Sequence, residues 1–159
     1  KLNYPSINDR GDDMKIKDLL KDRPVITIGP DASISQAVQK LVEHNRGSLP
    51  VIDSKGELVG IITERDIVRK CFAHSDSCDN IKVKNVMTKE VVIGTLEDDA
   101  DYAVMAMKEK QIRHLPIVEN KKVVGMVSMR DLLDVQLANC KVEVRYSQLL
   151  PRRTQRPIV

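Results

Sequence analysis

Two short stretches hold the residue types that could do chemistry. Gly60-Ile-Ile-Thr63-Glu-Arg65-Asp66 and Gly125-Met-Val-Ser128-Met-Arg130-Asp131 each set a hydroxyl three residues before a carboxylate, with an arginine beside the acid. That spacing is a helix capping box, in which the hydroxyl accepts the N–H three residues on and the carboxylate reaches back. The same geometry leaves backbone N–H groups at the positive end of a helix, beside Thr63 and Ser128, where a phosphate is stabilised. An ionised carboxylate offers two acceptor oxygens, so Asp66 and Asp131 could each receive both hydrogens of a vicinal diol such as that of a ribose. The guanidinium forks of Arg65 and Arg130 suit phosphate or plain solvent. Capping and ligand binding are compatible, and the spacing leaves both open.

A second constellation is weaker. Cys71, His74 and Cys78 form C-x2-H-x3-C, with Cys140 far downstream. A structural zinc site takes four well-spaced ligands, so these stand only as weak metal candidates beside the plainer reading of scattered free thiols. Three cysteines without a framework spacing fit a reducing compartment. No nucleophile and base pair or Gly-rich phosphate loop accompanies them, so no catalytic residue is assigned and an enzyme is not expected.

The elements that must position these residues come in two copies. Ile16–Leu20 recurs as Val83–Met87 at an offset of 67, Leu49-Pro50-Val-Ile as Leu115-Pro116-Ile-Val at 66, and the strand-end motif at 65. Single-residue drift between elements is what loops tolerate. In the first copy Val25–Ile28 reads as a strand, and Ser33 with Gln36 as a capping box. A helix follows, with Ile34, Ala37, Val38, Leu41 and Val42 on one buried face and Gly47 at its end. Leu49–Asp53, a Ser54-Lys55-Gly56 turn and Leu58–Thr63 read as a hairpin, and a second helix starts at Glu64. The second copy gives Val91–Ile93, a helix from Ala100 to about Lys110 capped by Asp99, strands Leu115–Val118 and Val123–Val127, and a helix from Met129. The predicted class is α/β (α+β), two βαββα units packed sheet to sheet with pseudo-two-fold symmetry. The apolar runs at Leu58–Ile62 and Val123–Val127 predict strands covered on both sides.

The chain has 159 residues, 42% of them hydrophobic and 31% charged, a globular composition. Aromatics are 3%, too few for a platform that stacks single-stranded nucleic acid. The net charge of +3 gathers at the end, where Lys141, Arg145, Arg152, Arg153 and Arg156 face only Glu143. No run of about 18 apolar residues suggests a membrane span, and no apolar leader opens the chain, so a cytoplasmic protein is expected. Residues 1–13 are set aside as an extension, 14–73 and 82–138 as the two repeats, 74–81 as a linker and 139–159 as a basic tail.

The paired Leu-Pro strands and paired strand ends, over about Met14 to Leu137, resemble the cystathionine β-synthase (CBS) domain in tandem, also called a Bateman module. The resemblance implies a regulatory sensor that binds adenosine nucleotides (AMP, ADP, ATP) or relatives such as S-adenosylmethionine in two clefts, commonly as a homodimer, with no cofactor required. It implies Asp66 and Asp131 on ribose and Thr63 and Ser128 on phosphate. Contacts to the base would come from Ile26, Thr27 and Ile28, from Val91, Val92 and Ile93, and from the strands of Pro50 and Pro116. Arg113 and His114 before Pro116 resemble phosphate contacts. The first copy has Gly47 and Ser48 there, with Arg46 one place earlier, so the clefts are expected to differ. Two other classes stay in view: a nucleic-acid or protein interaction device using the basic tail, and a structural dimer whose clefts bind nothing.

Overall fold

The structure, a computed structural model, describes residues 14–20, 24–71 and 80–139. His74, Cys78, Cys140 and the basic segment Lys141–Arg156 lie outside the described residues.

In chain order the elements are α1 (Ile16–Leu19), α2 (Ile34–Glu43), β1 (Ser48–Ile52), β2 (Leu58–Thr63), α3 (Glu64–Lys70), α4 (Val83–Val86), α5 (Ala100–Glu109), β3 (His114–Glu119), β4 (Lys122–Ser128) and α6 (Met129–Asn139). Both hairpins form, β1 antiparallel to β2 and β3 to β4, each with one irregularity in register, after Val51 and after Ile117. Gly56 turns the first hairpin at φ 79°, a left-handed conformation that costs glycine least. Asp53 Oδ1 braces that turn by accepting the Lys55 and Glu57 N–H groups, both at 2.9 Å. Asn120 and Lys121, both at positive φ, turn the second.

The expected first strands shrink to single parallel bridges, Ile28 to Val51 and Gly94 to Ile117. Ile28 donates to the Pro50 carbonyl at 3.1 Å and accepts from Ile52 at 3.0 Å. Pro24 and Pro30 bound that segment and supply no N–H, which leaves the ladder nothing to extend into.

The α2 helix starts on the predicted capping box, Gln36 N–H to Ser33 Oγ at 3.2 Å and Ser33 N–H to Gln36 Oε1 at 2.9 Å. It ends before Gly47, because Asn45 takes the left-handed conformation after the His44 cap. Its buried face is narrower than expected: Ile34, Ala37 and Leu41 are buried, while Val38 and Val42 are exposed. Asp99 occupies the N-cap of α5 without a side-chain cap bond, its carboxylate being held by Lys15 Nζ at 2.6 Å. In β2, Ile61 and Ile62 are buried but Leu58 and Val59 only partly, and Val124 in β4 is exposed. The strands are covered on both sides at their C-terminal halves alone.

Packing crosses the repeats. One core gathers Ile34, Leu41, Leu49, Val51, Ile62 and Ile67 with Val83 and Val86 of α4. The other gathers Met107, Leu115, Ile117, Val127 and Leu132 with Ile16 of α1. Backbone bonds fix the exchange: Ile16 N–H to the Asp98 carbonyl and Val83 N–H to the Ala32 carbonyl, both 2.9 Å. Each one-turn helix thus plugs the core of the copy it does not precede in sequence. At the hairpin turns Glu57 bridges Lys122, an offset of 65 and therefore equivalent positions, which puts a pseudo-two-fold axis between them. The whole is an α+β pair of related halves. Among the described residues no helix is long and apolar enough to cross a membrane.

Candidate functional site

The crossing of the halves brings the acid of one copy to the strands of the other. A small cavity of about 40 Å³, opening to solvent through a wider mouth, is lined by Asp131, Met126 and Val127 from the second copy. Its opposite wall is Pro24, Val25, Ile26, Ser48 and Pro50 from the first, with Leu19 and Leu20 from the α1 region and Arg46 at the polar side. Apolar walls with a few convergent polar groups are the ordinary make-up of a small-molecule site.

Asp131 is held in place by its cap. Its Oδ2 accepts the Ser128 N–H at 2.9 Å and also the Ser128 hydroxyl, while the Asp131 N–H donates to Ser128 Oγ at 3.3 Å. The capping reading of this motif is realised, and Asp131 is also one of the residues that line the cavity. Ser48 lies 4% exposed, and its Oγ has no hydrogen-bond partner among the described residues. An unmade bond on a buried hydroxyl costs about 1–3 kcal/mol. A ligand polar atom in the cavity is one way to recover it.

The equivalent acid is differently placed. Asp66 Oδ2 accepts the Thr63 N–H at 3.2 Å and the Thr63 hydroxyl at 2.7 Å, and Thr63 Oγ1 accepts the Asp66 N–H at 3.1 Å. Lys70 Nζ pairs with Asp66 Oδ1 at 3.2 Å and the Thr88 hydroxyl reaches it at 3.4 Å.

Of the other predicted residues, Ile28 is buried in the first core and Thr27 accepts Lys40 Nζ at its carbonyl, 2.9 Å away. Val92 packs on the second core, whereas Val91 and Ile93 line a shallower depression with Glu57, Lys89 and Lys121. Pro116 is buried, and its carbonyl accepts the Gly94 N–H at 2.9 Å. Arg65, Arg113 and Arg130 are exposed. Cys71 is buried in the first core, and the described residues contain no group of three metal-ligating side chains.

His114 sits at the seam between the copies. Its register partner is Ser128, and a Cβ placed on Gly47 would lie 3.1 Å from His114 Cε1. Burial lowers the His114 pKa, the charge of Arg113 lowers it further, and Asp131 pulls the other way. Arg46 and Ser48 are cavity residues that the sequence marked only as differences between copies. Their offset of 66 from Ile112 and His114 is the signal that places them on the same strand entrance.

Comparison with known proteins agrees with this geometry. The CBS domain is matched over residues 16–73 and again over 83–138. The chain is similar to protein MK0525 of Methanopyrus kandleri, 38% identical over 117 residues, covering 72% of this chain and 59% of that one. It is also similar to a 17.7 kDa protein of Acidianus ambivalens, 43% identical over 109 residues, 68% of this chain and 65% of that one. The chain therefore spans less than two thirds of the length of either relative. Among solved structures it superposes on the CBS domain pair of protein MJ0100 in complex with 5′-methylthioadenosine and S-adenosyl-L-methionine. That match has a TM-score of 0.72 and 29% identity over 79% of this chain and 98% of that one. Two matched segments, the duplicated strand ends and the crossed cores make this chain a member of the CBS-domain family, carrying two such domains in tandem.

Proposed function

We propose that the chain is a regulatory ligand-sensing module that takes an adenosine nucleotide or a relative of it in the cleft at Asp131. The observation that carries this is the cavity itself. It spans both copies and joins apolar walls, fit for a flat base, to a carboxylate, an arginine and a buried unpaired hydroxyl. Asp131 receives the ribose diol, and Arg46 with the helix start beside Ser128 receives an anionic group. The adenosine-derived ligands named for the MJ0100 pair support the same ligand class here.

The chain's residues bind and do no bond chemistry in this reading, and no cofactor is required. Because the cleft is built from both copies, a ligand that fits one packing of the halves better than another shifts their equilibrium by that difference in affinity. The shift passes to an outer surface. Val42 and Val68 on α2 and α3, and Tyr102, Met105 and Leu133 on α5 and α6, are exposed apolar side chains fit for a second copy or a regulated protein.

The test is a thermal-shift panel of AMP, ADP, ATP, 5′-methylthioadenosine and S-adenosylmethionine on the intact chain. A ligand at about 100 times its Kd adds about 2.7 kcal/mol to stability and raises Tm. A panel that leaves Tm unmoved throughout refutes the sensor reading and leaves a structural pair.

A further inference from the structure

Ser48 is a buried hydroxyl at a position where the fold does not require one. Along β1 the side chains alternate: Leu49 and Val51 enter the first core, while Ser48 and Pro50 line the cavity between the halves. In the second copy the same position, at an offset of 66, carries His114, paired with Ser128 as Ser48 is with Thr63. The strand thus forms with an imidazole there as well as with a hydroxyl.

Ser48 Oγ has no hydrogen-bond partner among the described residues, although the residue is only 4% exposed. Its cross-strand neighbour is committed elsewhere: the Thr63 hydroxyl donates to Asp66 Oδ2 at 2.7 Å and accepts the Asp66 N–H at 3.1 Å. The segment that carries Ser48 is pinned on both sides. The Arg46 N–H donates to the Leu41 carbonyl at 2.8 Å, the Gly47 carbonyl accepts the Glu64 N–H at 3.2 Å, and the Pro50 carbonyl accepts the Ile28 N–H at 3.1 Å. A group held this way is in place before anything binds. Val25, Ile26, Pro50 and Val127 line the same cavity and are apolar. A flat heteroaromatic ring suits such walls, provided its polar edge finds a hydrogen-bond partner there. A hydroxyl can both donate and accept.

Resting on the adenosine reading above, we propose that Ser48 is the specificity-determining residue of this cleft, its hydroxyl exchanging a hydrogen bond with the polar edge of the bound base. In the free protein the unpaired hydroxyl is a standing cost to stability, and binding recovers it. Stability and recognition therefore pull in opposite directions at this one position.

Ser48→Ala separates the two, since it removes a single oxygen and leaves the strand. The intact chain and the variant are compared by urea denaturation without ligand. Both are then titrated calorimetrically with AMP and with 5′-methylthioadenosine, which share a base and differ at the 5′ position. The expected result is a free variant at least as stable as wild type that binds both compounds at least fivefold more weakly. Unchanged affinity overturns the proposal and leaves the adenosine reading standing. A ligand-free variant less stable than wild type also overturns it, because the hydroxyl then serves the folded chain itself. A loss confined to one of two compounds that wild type binds overturns it as well, by placing the hydroxyl at the 5′ group and not at the base. A wild-type chain that binds neither compound overturns the adenosine reading for both, and the proposal with it.

Discussion

Asp66 and Asp131 each tie the first turn of a helix with one carboxylate oxygen. Removing a cap of this kind costs about 0.5–2 kcal/mol. Asp131→Ala is expected in that range by urea denaturation. Asp66→Ala is expected to cost at least about 0.5 kcal/mol, because Oδ1 also accepts from Lys70 and Thr88; a variant as stable as wild type contradicts the contacts described at Asp66. His114 gives a pH signature. Its folded-state pKa lies below the ordinary value of 6.5, so the folded chain binds fewer protons there than the unfolded chain. Its contribution is fully present above 6.5 and is lost as the pH falls through the lowered value. Arg113 drives the same way, Asp131 opposes, and Glu64 lies across Gly47. Wild type is thus expected to lose stability relative to His114→Gln as the pH falls from above 6.5 through the lowered value, measured by paired denaturant titrations. Parallel curves would contradict the burial of the ring. The acid motifs were legible because hydroxyl and carboxylate sit close in sequence. Arg46 and Ser48 were not legible as cavity residues, because their partners come from the other half of the chain.

The hairpins and the helices α2 and α5 could be read from alternation, turn residues and helical spacing, and the register of β1 with β2 follows from them. The one-turn helices α1 and α4 could not, since four residues are too few to display a helical period. Only the repetition of Ile16–Leu20 as Val83–Met87 marked them. Their weight is nonetheless large. Ile16 is fully buried in the core of the second copy, so Ile16→Ala is expected to cost about 2–5 kcal/mol although every other fully buried residue of that core lies far away in sequence. A loss under about 1 kcal/mol, the range of surface changes, would contradict the exchange of α1 between halves. The narrowed face of α2 has the converse cause: spacing marks which residues share a side, but how wide a stripe is covered depends on the neighbours that arrive. Val42, at 69% exposed, belongs to the stripe and stays largely uncovered by the described residues.

At the scale of the molecule, duplication predicted two related halves, and the axis between Glu57 and Lys122 is its geometric expression. What duplication did not reveal is the crossing, by which the acid of the second half completes a pocket begun by the strands of the first. Pairing between distant segments leaves no local mark in either. That crossing is the central claim, and amide chemical shifts measure it most directly. On titration of the intact, isotope-labelled chain with the ligand that stabilises it most, the amides of Ile26, Ser48, Met126 and Asp131 are expected to shift together along one saturation curve. Shifts confined to one half, or centred on Lys89, Val91 and Lys121, would contradict the account.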